Sequence, residues 1–146
     1  MVRILILHGP NLNLLGQRET SVYGSTTLEE INQELSLLAQ SEKVQVTFVQ
    51  SNHEGEIVSE LQKADGKFDA VVLNAAGFTH TSVAIRDAIA AIRTPVIEVH
   101  LSNIHAREEF RKTSLISPVV RGVIFGFGKE SYLLGLRGAI SLARKK

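Results

Sequence analysis

Five short apolar runs, separated by segments of helical periodicity, constrain the fold of this chain more than any other feature. The runs are rich in Val, Ile and Leu, as expected of strands that helices cover on both faces. We predict strands at Arg3–Leu7, Val44–Gln50, Ala70–Asn74, Val96–Val99 and Val119–Phe125. The alternation predicts an α/β fold, a doubly wound five-stranded parallel sheet with right-handed crossovers. A flavodoxin-like strand order suits five strands best.

Apolar residues at helical spacing predict four helices between and after these runs. We place them at Thr26–Ala39, Glu54–Ala64, Ser82–Ile92 and Lys129–Ala143. The first opens with the tetrad TTLE from Thr26, which matches the capping-box pattern. No repeat or linker interrupts the chain, so residues 1–146 are expected to form a single domain.

Composition argues against several kinds of partner. The 146 residues carry a net charge of +1 with scattered Lys and Arg, which disfavours nucleic acid and anionic membranes. No apolar run approaches the ~20 residues of a membrane span, and the N-terminal run suits a core strand better than a signal peptide. The absence of cysteine excludes disulfides, thiolate metal sites and a Cys nucleophile, and it fits a cytoplasmic location.

The connection after the first strand is unusually long. Strand-to-helix loops in α/β units take about 2–6 residues, whereas here the segment Gly9–Gly24 precedes the helix. It carries Asn11, Asn13, Arg18 and Tyr23, polar groups that a plain connector does not need. Loops at the carboxyl ends of parallel strands build ligand sites. We therefore predict a site here, with the second half of the loop acting as a lid that is more mobile without ligand.

Polar side chains also follow the other predicted strands. They are Asn52, His53 and Glu54 after the second, Asn74 and the segment Gly77–Ser82 after the third, and Glu98, His100 and Ser102 at the fourth. Because carboxyl ends of parallel strands share one edge, these groups are expected to meet. Loop exposure explains any one of them, but it explains less well a collection of Asn, His, Arg and Tyr.

Glu98 and His100 alternate along the fourth strand and therefore project from the same face. A hydrogen bond donated by the imidazole to Glu98 would fix the imidazole tautomer and support its protonated form, which suits His100 to act as a general acid. An incidental histidine at a solvated strand end is the alternative. Ser102 and Asn103 indicate a helix start whose backbone N–H groups could bind a carboxylate, although ordinary capping explains both equally well.

Tyr23 lies five residues after Arg18, which suits a tyrosine acting as a base. A phenol with a pKa of about 10 is only ~0.1% ionised at neutral pH, and a close guanidinium lowers a phenol pKa by ~1–3 units. An aromatic residue that only packs the loop is the alternative.

Arg107 and Arg111 would share one face if the segment IHAREEFRK is helical. Arg111 could bind a substrate hydroxyl or carboxylate, and Arg107 could act locally or reach a neighbouring subunit. Their spacing alone favours ordinary salt bridges with Glu108 or Glu109.

Four motifs, in this order and spacing, resemble type II 3-dehydroquinate dehydratase. They are HGPNLNLLGQRETSVYG, QSNHEGEIV, NAAGFTHTS and EVHLSNIHAREEFRKTSLIS, and they cover essentially the whole chain. The resemblance implies a flavodoxin-like subunit, usually assembled as a dodecamer from trimers. It implies dehydration of 3-dehydroquinate to 3-dehydroshikimate in the shikimate pathway of aromatic amino acid biosynthesis, with no metal and no organic cofactor.

The resemblance also implies roles for single residues. Tyr23 would remove the proton beside the ketone, and Arg18 would keep it ionised. Asn11 would help to hold a water on the developing enolate, while His100 would protonate the leaving hydroxyl with Glu98 orienting it. Substrate binding is implied for Asn74, His80, Asp87 of an adjacent subunit, Leu101, Ser102 and Arg111.

Two positions depart from the family pattern, and other functions stay open. Thr20 stands where proline is common, which should loosen the loop, and Phe78 stands where tyrosine is frequent. None of the residues given a role is a lysine, which argues against Schiff-base chemistry. The alternatives are another cofactor-independent lyase or isomerase acting on a polyhydroxy keto acid, and a flavodoxin-like binding module. A phosphorylated receiver would need an Asp where Asn74 stands.

Overall fold

The chain is described by a computed structural model for residues 1–17 and 20–145. Its centre is one sheet in which all neighbouring strands are parallel, in the order β2-β1-β3-β4-β5. This confirms the predicted flavodoxin-like order. The strands are β1 (Arg3–His8), β2 (Gln45–Gln50), β3 (Ala70–Asn74), β4 (Val96–His100) and β5 (Gly122–Phe125).

Within the described residues, five α-helices and five short 3₁₀ helices connect and cover the strands. The α-helices are α1 (Thr20–Tyr23), α2 (Leu28–Ser41), α3 (Glu54–Ala64), α4 (Val83–Ala91) and α5 (Glu130–Arg144). The 3₁₀ helices are Leu12–Leu14, Ala76–His80, Ile104–Ala106, Glu109–Lys112 and Ser117–Val119. Within residues 1–17 and 20–145, no helix is both long and apolar enough to cross a membrane.

The sheet separates two apolar clusters. One packs α2 and α5 against one face, and the other packs α3 and α4 against the opposite face. The central strands β1, β3 and β4 are buried almost throughout, whereas β2 and β5 are partly exposed. The helices cover these two edge strands only in part. Val46 and Phe48 of β2 pack against one cluster and Val49 packs against the other, whereas Val123 of β5 is exposed.

Three local predictions are corrected by the structure. Helix α2 is capped by Thr27, whose hydroxyl accepts from the Glu30 N–H, one residue later than predicted. Strand β5 begins at Gly122, because Ser117–Val119 form a 3₁₀ turn with proline at its start. The segment IHAREEFRK is two short 3₁₀ helices rather than one helix, since the backbone at Arg107 is extended.

A close backbone approach fixes where the loop after β1 begins. The Gly9 N–H donates to the Asn74 carbonyl at 2.7 Å. A Cβ at Gly9 would lie 2.8 Å from the carbonyl carbon and oxygen of Ala75, so only glycine fits without a shift. The start of the long loop is therefore held against the end of β3.

Candidate active site

A cleft of about 580 Å³, measured out to its open mouth, lies at the carboxyl edge of the sheet. It sits where the strand order reverses between β1 and β3, the usual ligand position in open α/β sheets. Eight of the eleven predicted site residues line it: Asn11, Tyr23, Asn74, His80, His100, Leu101, Ser102 and Arg111. The structure thus brings together groups that are far apart in the sequence.

Glu98 and His100 form the predicted hydrogen bond inside the protein. Glu98 Oε2 lies 2.5 Å from His100 Nε2, and both side chains are buried. The hydroxyls of Ser114 and Ser117 donate to the same carboxylate at 3.0 and 2.6 Å. Burial by itself would raise the pKa of Glu98, but the hydrogen bond and charge of His100 and the two serine hydroxyls hold it below its ordinary value. An ionised carboxylate at this place stabilises a protonated imidazole.

Tyr23 is held by a guanidinium that the sequence did not assign to it. Arg107 Nη1 donates to the Tyr23 hydroxyl at 2.7 Å, and the guanidinium carbon lies 5.1 Å from the ring centroid. The same nitrogen lies 3.5 Å from the Ser102 hydroxyl. Arg18, the predicted partner of Tyr23, lies outside the described residues. A charged donor on this oxygen stabilises negative charge that forms there.

Asn11 adopts a left-handed backbone conformation with φ 68°, which Asn tolerates better than most residues. Its N–H donates to Asn52 Oδ1 at 2.9 Å. Gln50 Nε2 donates to the same oxygen at 3.1 Å and to the Gly9 carbonyl at 3.2 Å. The end of β2 therefore fixes the first half of the loop. In the sequence Asn52 is only a polar residue after a strand, because its spacing gives no sign of this contact.

His80 and Arg111 line the cleft, and each has a partner in the protein. The His80 ring nitrogen Nδ1 donates to the Thr113 carbonyl at 2.8 Å, and its ring centroid lies 6.4 Å from that of His100. Burial is the main reason that the pKa of His80 is lowered, and the charges of His100 and Arg111 add to it. Arg111 Nε forms an ion pair with Glu108 Oε2 at 3.1 Å, as its spacing suggested.

Asp87 is exposed on α4 and is not among the residues that line the cleft of its own chain. Its role across a subunit boundary therefore stays a prediction. Across residues 1–17 and 20–145, no group of three or more His, Asp or Glu side chains is arranged to hold a metal ion.

Comparison with known proteins decides the family. A model of the family Dehydroquinase class II matches residues 2–140. The chain belongs to the class II dehydroquinases. It is 60% identical over 137 residues to the 3-dehydroquinate dehydratase of Acaryochloris marina, a match covering 94% of this chain and 92% of that protein. The 3-dehydroquinate dehydratase of Desulforudis audaxviator is 56% identical over 144 residues. That match covers 99% of this chain and 96% of that protein.

A solved dehydroquinase structure shows the same architecture. The crystal structure of the type II dehydroquinase from Butyrivibrio crossotus superposes with a TM-score of 0.93 at 40% sequence identity. The match covers 95% of this chain and 97% of that one. The fold of this class II dehydroquinase is therefore the fold of its family.

Proposed function

We propose that this chain is a hydro-lyase that dehydrates 3-dehydroquinate to 3-dehydroshikimate through an enolate, a step of the shikimate pathway. Its family membership supports the reaction. One observation supports the mechanism above all others. A tyrosine hydroxyl bonded by a guanidinium and a histidine bonded by a buried carboxylate line the same cleft. A β-hydroxy ketone needs such a separate base and acid to lose water.

The first step is removal of a proton from the carbon beside the ketone. The phenolate oxygen of Tyr23 takes the proton, and the electron pair of the broken C–H bond moves into the enolate. Arg107 stabilises the phenolate through its hydrogen bond, and the family resemblance assigns a similar role to Arg18. Asn11, whose backbone is fixed by Asn52, would hold a water on the enolate oxygen, where fixed donors stabilise developing charge.

The second step is departure of the hydroxyl group. His100 gives its proton to that oxygen as the C–O bond breaks, because hydroxide is a poor leaving group. The enolate electrons then form the conjugated double bond, and water leaves. Glu98 orients the imidazole and stabilises its protonated form. Base and acid come from different elements, Tyr23 from the end of α1 and His100 from the end of β4, which suits removal of proton and hydroxyl from opposite faces of the ring.

The remaining predicted residues would bind the substrate. Lining the cleft supports this role for Asn74, His80, Leu101, Ser102 and Arg111. Asp87 would reach the cleft of an adjacent subunit, which its exposure on α4 permits. Following the family resemblance, we also propose a homo-oligomer, a dodecamer built from trimers.

The test is incubation with 3-dehydroquinate while the ultraviolet absorbance of the conjugated enone product is recorded. We expect absorbance to grow at micromolar enzyme, and its absence would remove the proposed reaction. Turnover of another polyhydroxy keto acid instead would favour the alternative lyase. A second experiment adds borohydride to enzyme and substrate. We expect activity to survive, since the enolate route makes no imine, whereas a trapped adduct on a lysine would overturn it.

A further inference from the structure

A short segment, Thr113–Ser117, lies beside the carboxylate of Glu98 and is not part of the cleft wall. Its backbone is bound on two sides. The Leu115 N–H donates to the Thr79 carbonyl at 2.9 Å, and Arg86 Nη1 of α4 donates to the Leu115 carbonyl at 2.9 Å. The segment is therefore fixed in place, although most of it has no regular secondary structure.

The hydrogen bonds of Ser114 can run in only one direction. Its oxygen accepts from the backbone N–H groups of Ile116 and Ser117, at 3.3 and 3.0 Å. A hydroxyl has two acceptor sites and one hydrogen, so the hydrogen is left for Glu98 Oε2, which lies 3.0 Å away. The Ser117 hydroxyl donates to the other carboxylate oxygen, Oε1, at 2.6 Å. Each oxygen of the buried carboxylate therefore accepts from a serine hydroxyl.

These two donors bear on the proton that lies between Glu98 and His100. Glu98 Oε2 accepts both from Ser114 and from His100 Nε2. Each hydrogen bond donated to a carboxylate stabilises its charged form and makes it a weaker proton acceptor. A buried carboxylate with fewer donors would draw the shared proton from Nε2 to Oε2. The imidazole would then be neutral, and a neutral imidazole is a far weaker acid than an imidazolium.

We propose that Ser114 and Ser117 are positioning residues for the acid step, which keep Glu98 ionised and oriented so that the shared proton stays on the imidazole of His100. This rests on the proposed function, in which His100 protonates the leaving hydroxyl. The serines act through Glu98 and do not line the cleft, so they should affect the chemical step and not the binding of substrate.

Ser117→Ala tests the proposal, because it removes the donor on Oε1 and keeps the backbone N–H that bonds Ser114. We expect kcat for 3-dehydroquinate to fall about 10-fold while KM stays within about 2-fold. The matched control is Ser131→Ala, which removes a fully buried serine hydroxyl of α5 that accepts from the Phe127 N–H at 3.0 Å. Loss of stability alone, as in this control, should leave kcat and KM within about 2-fold.

A second pair of variants separates the hydroxyl from the shape of the side chain. Threonine and valine have nearly the same shape, but only threonine can donate a hydrogen bond. We expect kcat for Ser117→Thr within about 3-fold of wild type, and kcat for Ser117→Val about 10-fold lower. Equal kcat values for the two variants would contradict the positioning role. This comparison also serves if Ser117→Ala is too unstable to assay.

The decisive comparison adds Glu98→Ala. If Ser117 acts through Glu98, Ser117→Ala should lower kcat by less than about 2-fold in the Glu98→Ala background. An equal fall in both backgrounds overturns the proposal, as does an unchanged kcat in the single variant, with or without a raised KM. Failure of the wild-type protein to turn over 3-dehydroquinate would instead overturn the proposed function.

Discussion

Acidification should destabilise this protein through one buried histidine, His8. Burial lowers the pKa of His8 from 6.5 to about 4, so the unfolded chain binds a proton at a higher pH than the folded chain does. Stability from this group is complete above pH 6.5 and is lost as the pH falls towards 4. At 1.36 kcal/mol per pKa unit, the whole loss amounts to about 3 kcal/mol. About 2 kcal/mol of it should be lost between about pH 7.5 and about pH 5.

The assay is urea unfolding at one protein concentration, since association shifts apparent stability. His8→Asn is the control, because it removes the titrating group and keeps a polar side chain. Other groups, including His80 with its lowered pKa, contribute equally to both proteins. We expect the wild-type protein to lose about 2 kcal/mol more than His8→Asn between the two pH values. Equal losses would show that His8 is not held neutral by burial, and the reasoning would fail.

Three further predictions concern the active site. His100→Ala should lower kcat by about 10²–10⁴-fold, with partial rescue by added imidazole, and unchanged kcat would remove the general acid. Arg107→Ala should lower kcat by about 10²–10³-fold, because the phenolate loses a charged donor, and an unchanged kcat would show that another group stabilises the phenolate. Asp87→Ala and Tyr23→Phe, each inactive alone, should regain activity when refolded together, because mixed oligomers then contain complete sites. No recovery would contradict a cross-subunit role for Asp87.

The sequence carried enough information to predict the sheet. The run Ala70–Asn74 is apolar up to its last residue and contains two adjacent valines, and the structure begins and ends that strand at the same residues. Exposure at the edges could not be predicted in the same way, because β2 is also rich in Val and Phe. Whether a strand is central depends on its position in the sheet, which its own residues do not encode.

Some contacts within the site could be predicted from the sequence, and others could not. Glu98 and His100 were predictable because two residues apart on a strand share a face. The contact between Tyr23 and Arg107 spans 84 positions and depends on how two loops fold back over the cleft. Tyr132 gave no polar signal at all, since an aromatic residue within an apolar helical pattern normally indicates core packing. The structure shows that its hydroxyl also forms a buried hydrogen bond with His8.

The assignment of Tyr23 as the base is the central claim, and Tyr23→Phe tests it most directly. The measurement is kcat for 3-dehydroquinate, followed by enone absorbance, together with the affinity for a non-reacting ring analogue. We expect kcat to fall by at least about 10²–10⁴-fold while the analogue binds nearly as tightly as to wild type, because only the proton acceptor is lost. Turnover at the wild-type rate would place the base elsewhere and contradict the mechanism.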